Sequence, residues 1–371
     1  MESNQLIEWL MENSGPIIKH RTATELMNVT VCSDELTNDL LNIEKVKSLL
    51  LRLDDYGPIT VVDSHMLNKI HNKDGAESIV AELLDFGLRS GIGQLDLRLQ
   101  VFRQYVDNDF VSKALSTPYI DNVSTGWAIF IAGIFTSYFI RGGYRYEEVI
   151  NYAKIRLNLL YRAASENTLN IYLSDSELMK YPKRPQIWCT TPVIRPEYDP
   201  CCNDKPLPNK HDIYTLAYYP KDLADEETED KINRIIEFIL DEKYQSLHYG
   251  LLWYKANRRY YMSGWSPTLP CFFNFENEYE LCILLFYMDL MSHFKAAQHS
   301  KWFQNCLDYL EQFRMVDGTY CFPKSFFRYK EYVGCTGGLS IGSKDKQKSA
   351  DANKVESTFR MLLLKSRLGI F

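Results

Sequence analysis

The chain has 371 residues, of which 46% are apolar and 24% charged, and its formal net charge is −6 at pH 7. A globular chain of this size can bury a core that needs neither disulfides nor a structural metal. The acidic balance argues against a nucleic-acid partner. The nine cysteines are odd in number and scattered, and no basic-then-apolar leader opens the chain, so we expect reduced thiols and a cytoplasmic location.

The first sixty or so residues are predicted to form paired helices. Gly15 and Pro16 mark a boundary, because Gly is common just after a helix and Pro at the first turn of the next one. The stretch from Pro16 to Leu26 resembles the second helix of a HEAT-type repeat. We therefore expect a HEAT-like edge over residues 1–60, without the fixed period of a regular array.

Apolar residues recur with helical spacing through much of the chain, which predicts roughly ten to twelve helices. The run 126–140, GWAIFIAGIFTSYFI, is too short for a membrane span and fits a helix that is buried all round. Tyr279–Met291 is apolar almost throughout and predicts a second central helix. The amphipathic stripes are Ile150, Ala153, Leu157, Leu160 and Tyr161; Ile232, Ile235, Ile236 and Ile239; Phe303, Cys306, Leu307, Leu310 and Phe313; and Val355, Phe359 and Leu362.

Residues 181–222 break this pattern with eight prolines and no helical period. We expect a long loop, and its Trp188 and Ile194 indicate that it packs on one face of a single helical domain spanning 1–371. A division into two domains near 185–225 is the alternative. Short extended pieces are expected at 258–262 and 331–333.

The same stretch contains three cysteines and a histidine that invite a metal-site interpretation. Zinc motifs place their cysteines two to four residues apart, and the adjacent pair found here is an awkward pair of ligands. No metal site is therefore assigned. The four residues are Cys189, Cys201, Cys202 and His211.

Two glycine motifs overlap between Gly337 and Gly342. The string GLSIG matches the nucleophile elbow of serine hydrolases, but no helical pattern follows it and no His follows Ser340. The glycine spacing also approaches that of a phosphate loop, yet the required Lys-Ser/Thr pair is missing. We expect a solvated surface loop; an anion site built from its amides and the lysines of 344–348 is the alternative.

The stretch 244–270 is the densest in side chains that can carry chemistry. Tyr and His can act as acid or base, Arg can neutralise a carboxylate or diphosphate, and aromatic faces can stabilise cations. The alternative is a hairpin-like excursion whose Tyr residues pack and whose Arg residues pair with acids. The catalytic candidates are Tyr260, Tyr261 and His248, and the ligand-binding candidates are Arg258, Arg259 and Trp265.

A helix-and-turn pattern near the C-terminus carries the one family resemblance. Gln312 near a helix end, then Asp317-Gly318 and Tyr320, resembles the repeat signature of α/α toroids, which include terpenoid cyclases and the β subunits of protein prenyltransferases. The later Gly-Gly, lysines and helix are also similar in outline to the prenyltransferase β subunits. The resemblance implies an α/α toroid or partial toroid. It makes Asp317 a further catalytic candidate and Tyr320 a further ligand-binding candidate at the rim of an aromatic-lined cavity.

The motifs that carry chemistry in those families are missing. No D-x-D-D string occurs, and Asp54-Asp55 is followed by a turn pattern that does not complete D-D-x-x-D. Cys306 and Asp308 stand in the wrong order for the prenyltransferase zinc site. The resemblance therefore implies an architecture and carries over no reaction.

The sequence thus predicts an all-α protein with an unknown cofactor requirement, and it leaves two main functions open. The first is an enzyme, or an enzyme-derived protein, that binds a small isoprenoid-like or anionic ligand in an aromatic-lined central cavity. The second is a non-catalytic helical scaffold that binds a peptide or protein on its concave face. A polysaccharide lyase is a third toroid class, but it calls for a secretion signal.

Overall fold

A computed structural model describes residues 2–27, 34–54, 75–107, 111, 123–166, 168–181, 185–202, 204–256, 259–327, 341 and 351–370. At 123–127, 254–256 and 259–263 it describes the backbone alone. The fold is 65% helical and 4% strand, which confirms the prediction of an all-α protein. Among the helices of the described residues, none combines the length and the apolar composition that crossing a membrane requires.

The chain divides into two compact units. The first unit contains the described residues up to 101 and from 270 onward, and the second contains the described residues of 102–269. The second unit therefore lies, in sequence, between the two parts of the first. The single domain over 1–371 stays a prediction.

The N-terminal part of the first unit is a series of short helices. Pro16 is the first residue of α2, as the sequence predicts. Gly15 follows the end of α1 and its C-cap Ser14, also as predicted, and serves in addition as the N-cap of α2. A π-helical turn, Thr22–Leu26, follows α2 directly. The apolar residues of α4 recur at helical spacing and are buried, which is why this segment is a helix packed against its neighbours. The helices are α1 (Ser3–Asn13), α2 (Pro16–Arg21), α3 (Asp34–Leu41), α4 (Glu44–Leu53), α5 (Ala76–Asp85) and α6 (Gly93–Leu99).

The second unit is built around one apolar helix. From Ala128 onward α7 is buried almost throughout, as the sequence predicts, and it packs against α8 and α10, while α11 packs on α8. The predicted stripes of α8 and α11 face this core, except that Tyr161 is exposed. The helices are α7 (Val123–Arg141), α8 (Glu147–Glu166), α9 (Asp175–Leu178), α10 (Lys210–Ala217), α11 (Glu226–Leu240) and α12 (Glu242–Gln245).

The Pro-rich stretch contains more regular structure than the sequence predicts. The helix α10 fits between Pro208 and Pro220, and the side chain of Asn209 caps it by accepting hydrogen bonds from two backbone amides. Short 3₁₀ turns form at Gln186–Cys189 and Pro196–Tyr198. The frequent prolines argue against a helix in this stretch, but none of them falls within the eight residues of α10. Trp188 and Ile194 are buried, so the stretch does pack as expected.

A β-hairpin follows α12. Strands β1 (Gly250–Ala256) and β2 (Arg259–Trp265) are antiparallel, with Gly250 opposite Trp265 and Ala256 opposite Arg259. The extended piece expected near 258–262 is therefore one arm of a hairpin. The piece expected at 331–333 lies outside the described residues.

The C-terminal part of the first unit contains the last predicted helices. Helix α16 packs on both α1 and α13, so the described N- and C-terminal segments share one core. The described residues contain sixteen α-helical segments, against the ten to twelve predicted; the excess comprises α10 in the Pro-rich stretch and three segments of only four residues, α9, α12 and α14. The elements are α13 (Glu278–Met291), α14 (Lys295–Gln298), α15 (Lys301–Glu311), a 3₁₀ turn (Lys324–Phe327) and α16 (Ala352–Leu368).

Candidate functional site

The hairpin candidates are only partly within the described structure. Trp265 is buried, its indole N–H donates to the carbonyl of Pro208 at 3.5 Å, and its ring meets Tyr244 edge-on. His248 has an exposed side chain, and its backbone carbonyl accepts a hydrogen bond from the Tyr172 hydroxyl. The packing of Trp265 agrees with the hairpin alternative.

The other hairpin candidates stay predictions. Arg258 lies outside the described residues, and only the backbone of β2 is described at Arg259, Tyr260 and Tyr261. On that backbone Tyr261 is paired with Tyr254 and Tyr260 with Lys255.

Asp317 braces the turn that the sequence singles out. Its Oδ1 accepts hydrogen bonds from the backbone N–H and the hydroxyl of Thr319, and its Oδ2 lies 2.7 Å from Lys354 Nζ on α16. Gly318 has φ 88°, a conformation that favours glycine. The hydrogen bonds from Lys354 and Thr319 hold the pKa of Asp317 well below its usual range. This carboxylate therefore stays ionised and serves to fix the turn.

Tyr320 is held by a lysine and a glutamate. Its ring is buried, its hydroxyl donates to Glu311 Oε2 at 2.9 Å, and Lys365 Nζ donates to the hydroxyl at 2.6 Å. Lys365 also pairs with Glu311 at 2.6 Å. Burial raises the pKa of Tyr320, so the phenol remains protonated and able to donate.

Side chains of α16 also hold the backbone that follows the turn. The hydroxyls of Thr358 and Ser357 accept the N–H groups of Tyr320 and Phe322, each at 3.0 Å. The Asn353 amide donates to the Phe322 carbonyl at 2.6 Å. These bonds supply partners that a neighbouring strand would otherwise supply.

Tyr320 is also the buried end of a connected set of rings, which we call the aromatic cluster. Phe275 stacks on Tyr309 with centroids 4.4 Å apart, and Tyr309 meets Phe313 edge-on. Phe313 in turn lies edge-on to Phe322. The cluster comprises Phe275, Tyr309, Phe313, Tyr320, Phe322, Phe326 and Phe327.

One side of the aromatic cluster is open to solvent. Phe275, Tyr309, Phe313 and Phe327 are half-buried, whereas Tyr320, Phe322 and Phe326 are buried. Phe273, from the loop before α13, is 57% exposed, and Tyr279, in the first turn of α13, is 53% exposed. Both residues are near Phe275 in the sequence, and exposed apolar residues grouped in this way commonly mark a binding site.

Sequence reasoning placed Tyr320 in an aromatic setting but missed Phe275 and Tyr309. The available signal was the string FFNF directly before an apolar helix, together with a tyrosine beside the apolar stripe of α15. Periodicity marks which residues are buried and gives no information on which exposed rings meet.

Buried and half-buried ion pairs connect the helices of the first unit. Arg21 binds Glu25 with two nitrogens and donates to the carbonyl of Asp85, at the end of α5. Arg367 donates to both the carbonyl and the carboxylate of Asp289, at 2.8 and 2.7 Å. Burial alone raises the pKa of each carboxylate, but the arginines outweigh it; the pKa of Glu25 falls to about 2, and that of Asp289 is also lowered. These ion pairs therefore have a structural role.

His20 is a neutral, packed histidine next to these charges. Burial, followed by the nearby Arg89 charge, lowers its pKa to about 4. Its Nδ1 has no hydrogen-bond partner within the described part of the chain, and a Cβ on Gly87 would lie 3.1 Å from that nitrogen. The backbone of Gly87 therefore lies close to this nitrogen and leaves little room for a ligand to reach His20.

The second unit contains a buried ion pair with a similar anchoring role. Arg156 on α8 binds Asp212 with two nitrogens, at 3.0 and 2.8 Å, and both side chains are about 5% exposed. The same guanidinium donates to the carbonyls of Pro200 and Cys202. It thereby ties the Pro-rich stretch to α8 and α10.

The cysteines and histidine of that stretch are not arranged as metal ligands. Cys189 is exposed, whereas Cys202 is buried, donates to the Glu197 carbonyl and has its pKa raised by burial to about 12. His211 Nδ1 lies 3.1 Å from the hydroxyl of Ser137. Across the described residues, no three His, Cys, Asp or Glu side chains come together as a metal site requires.

The glycine motifs fall largely outside the described residues. The exception is Ile341, which is buried and donates its backbone N–H to Glu356 Oε1 at 3.0 Å. Glu356 is also buried and pairs with Arg360. The backbone amide of Ile341 is therefore occupied by a carboxylate of the protein itself. For the other residues of 337–348, the solvated loop and the anion site stay predictions.

Comparison with known proteins adds no family. No protein-family model matches the chain. Searches of curated proteins and of solved structures also found no match. The relation to α/α toroids therefore stays a prediction from the residues that carry it.

Proposed function

We propose that this protein is an enzyme, or an enzyme-derived binding protein, that holds a small ligand with an apolar body against the aromatic cluster of the first unit. One observation carries this proposal. Phe275 and Tyr309 stack on each other while both remain half-buried, and the exposed Phe273 precedes Phe275 in the same loop. Rings in such an arrangement gain free energy when a ligand removes them from water.

The polar candidates support binding more than a particular reaction. Asp317 and Tyr320 are both committed to contacts that hold the turn against α15 and α16. A general acid or base needs an unoccupied path to its substrate. We therefore assign Tyr320 a role at the base of the binding surface and assign no reaction to the protein.

Native mass spectrometry of the purified full-length protein, followed by titration with farnesol, tests this function. Farnesol is a neutral, isoprenoid-like probe. We expect a retained small molecule or saturable farnesol binding, and weaker farnesol binding in Phe275→Ala. The control Phe130→Ala changes a half-buried ring of the second unit. No retained molecule together with no saturable farnesol binding would contradict the proposal.

The scaffold function remains the second candidate because of a surface in the second unit. Met179 is 75% and Ile187 44% exposed, and they are close in sequence to Tyr181 and Trp188, whose rings contact each other and Trp253. Tryptophan, tyrosine and methionine are enriched in protein interfaces. A protein partner lost by Met179→Glu but retained by Phe273→Ala would favour this function over small-molecule binding.

A further inference from the structure

We infer that the ligand of the aromatic cluster carries a positive charge of the substituted-ammonium kind. The inference rests on the proposed function, because it concerns the same surface. The faces of Phe and Tyr rings carry negative partial charge and attract a cation placed over them. The exposed and half-buried rings Phe273, Phe275 and Tyr309 supply such faces.

The segment that supplies Phe273 and Phe275 is acidic. Between residues 271 and 288 the sequence contains three Glu and no Lys or Arg. Glu276 and Glu278 are exposed, whereas Glu280 is half-buried and accepts hydrogen bonds from the Cys271 backbone and the Asn277 amide. Two exposed carboxylates therefore follow Phe275 directly in the chain.

The exposed residues close in sequence to the other cluster members include both acids and bases. Asp308 is exposed and adjacent to Tyr309 on α15. Among the described residues, Arg314 and Lys324 are the exposed bases close in sequence to cluster residues; Arg328, which follows Phe327, lies outside the described part of the chain. The exposed charges of the loop that supplies Phe273 and Phe275 are acidic. This charge distribution favours a cation over a diphosphate or carboxylate, contrary to the anionic ligand that the hairpin arginines suggest.

A substituted ammonium fits this surface better than a metal ion. Metal ions require several oxygen or nitrogen ligands at short range, and the described residues contain no such group. The alkyl groups of a substituted ammonium spread its charge and make apolar contacts, so it can lie against aromatic rings. The aromatic cluster provides rings, and the loop provides the compensating charge.

Choline and its neutral carbon isostere 3,3-dimethylbutan-1-ol test the inferred charge, since they differ little in shape. Their binding to the full-length protein can be titrated by ligand-observed NMR at low salt. We expect choline to bind about five-fold more tightly, a difference typical of a cation over a partly exposed ring. Tyr309→Leu should weaken choline binding, and Tyr309→Phe should retain it.

The double variant Glu276→Gln, Glu278→Gln should reduce the preference for choline. The matched control is the double variant Glu226→Gln, Glu229→Gln, which removes two exposed acids of the second unit and should leave the preference unchanged. If circular dichroism shows that Tyr309→Leu is unfolded, Phe275→Leu provides the same comparison.

The outcomes separate the inference from the proposed function. Equal affinities for the two probes, both weakened by Tyr309→Leu, would overturn the positive charge and leave the proposed function supported. A preference for choline that remains in both Tyr309→Leu and Phe275→Leu would reflect the overall surface charge of the protein and would also overturn the inference. If neither probe binds and farnesol does not bind either, both proposals fail.

Discussion

Asp317 illustrates how a single side chain acquires its role from distant partners. In sequence it stands beside Gly318 and near no His or second carboxylate, which argues for a turn residue. Its lysine partner is 37 residues away, on α16. The turn was readable from two adjacent residues, but the ion pair required the tertiary fold.

The buried His20 predicts a specific loss of stability in mild acid. Its pKa is about 4 in the folded protein against an ordinary value of 6.5, so the unfolded chain binds the proton more readily between these values. Stability should therefore decrease as the pH falls from 6.5 toward 4, by about 2 kcal/mol between pH 7 and pH 5. Urea unfolding of wild type and His20→Gln at both pH values measures this contribution.

The same experiment with His248→Gln provides the control, because that side chain is exposed. It should unfold with the pH dependence of the wild type. An unchanged pH dependence in His20→Gln as well would show that His20 is not the group responsible.

At the scale of elements, α16 organises the C-terminal part of the first unit. Its predicted apolar stripe is buried, and its polar residues bind the segment 320–322 through side-chain hydroxyls and an amide. Apolar periodicity predicted the helix and its buried face. It gave no sign that Ser357 and Thr358 replace the hydrogen bonds of a strand.

Thr358→Val tests this role of α16. Valine has a similar shape but cannot accept the N–H of Tyr320, which is fully covered by protein. We expect a loss of about 1–3 kcal/mol in the free energy of unfolding, the usual cost of an unpaired buried amide. Chemical denaturation measures it, and hydrogen exchange should show faster exchange at Tyr320.

Ser366→Ala, a half-buried substitution on the same helix, is the comparison for Thr358→Val. It should change stability by less than about 0.5 kcal/mol. A similar small change in Thr358→Val would mean that the Tyr320 amide finds another partner.

At the scale of the whole molecule, the first unit draws its residues from both ends of the chain and the second from the middle. Each unit has its own polar anchors: Arg21 and Arg367 in the first and Arg156 in the second. Because each unit has its own anchoring ion pairs, we expect a destabilising substitution in one unit to increase local unfolding in that unit first.

Arg156→Met tests this independence. Removing one partner of a buried ion pair leaves Asp212 uncompensated, so we expect a loss of about 3–5 kcal/mol. Hydrogen exchange with mass spectrometry should show faster exchange in α8 and α10 and no change in α16. The control is Arg162→Met, on the same helix as Arg156, which breaks an exposed ion pair with Asp204. It should lower the free energy of unfolding by less than about 1 kcal/mol. Equal acceleration in α16 would contradict independent units.

The sequence by itself determined the longer helices and the faces they bury, because apolar periodicity is a local property that survives in any compact arrangement; it did not reveal α10 or the four-residue helices, which lack that periodicity. It also marked the turn before Tyr320 and the Gly15–Pro16 boundary, since these depend on adjacent residues. Only the tertiary structure decided the partners of Asp317, Tyr320 and Arg156, and brought Phe275 onto Tyr309. Hydrogen bonds, ion pairs and ring contacts join residues far apart in the chain, so their outcome depends on the packing that periodicity alone leaves undetermined.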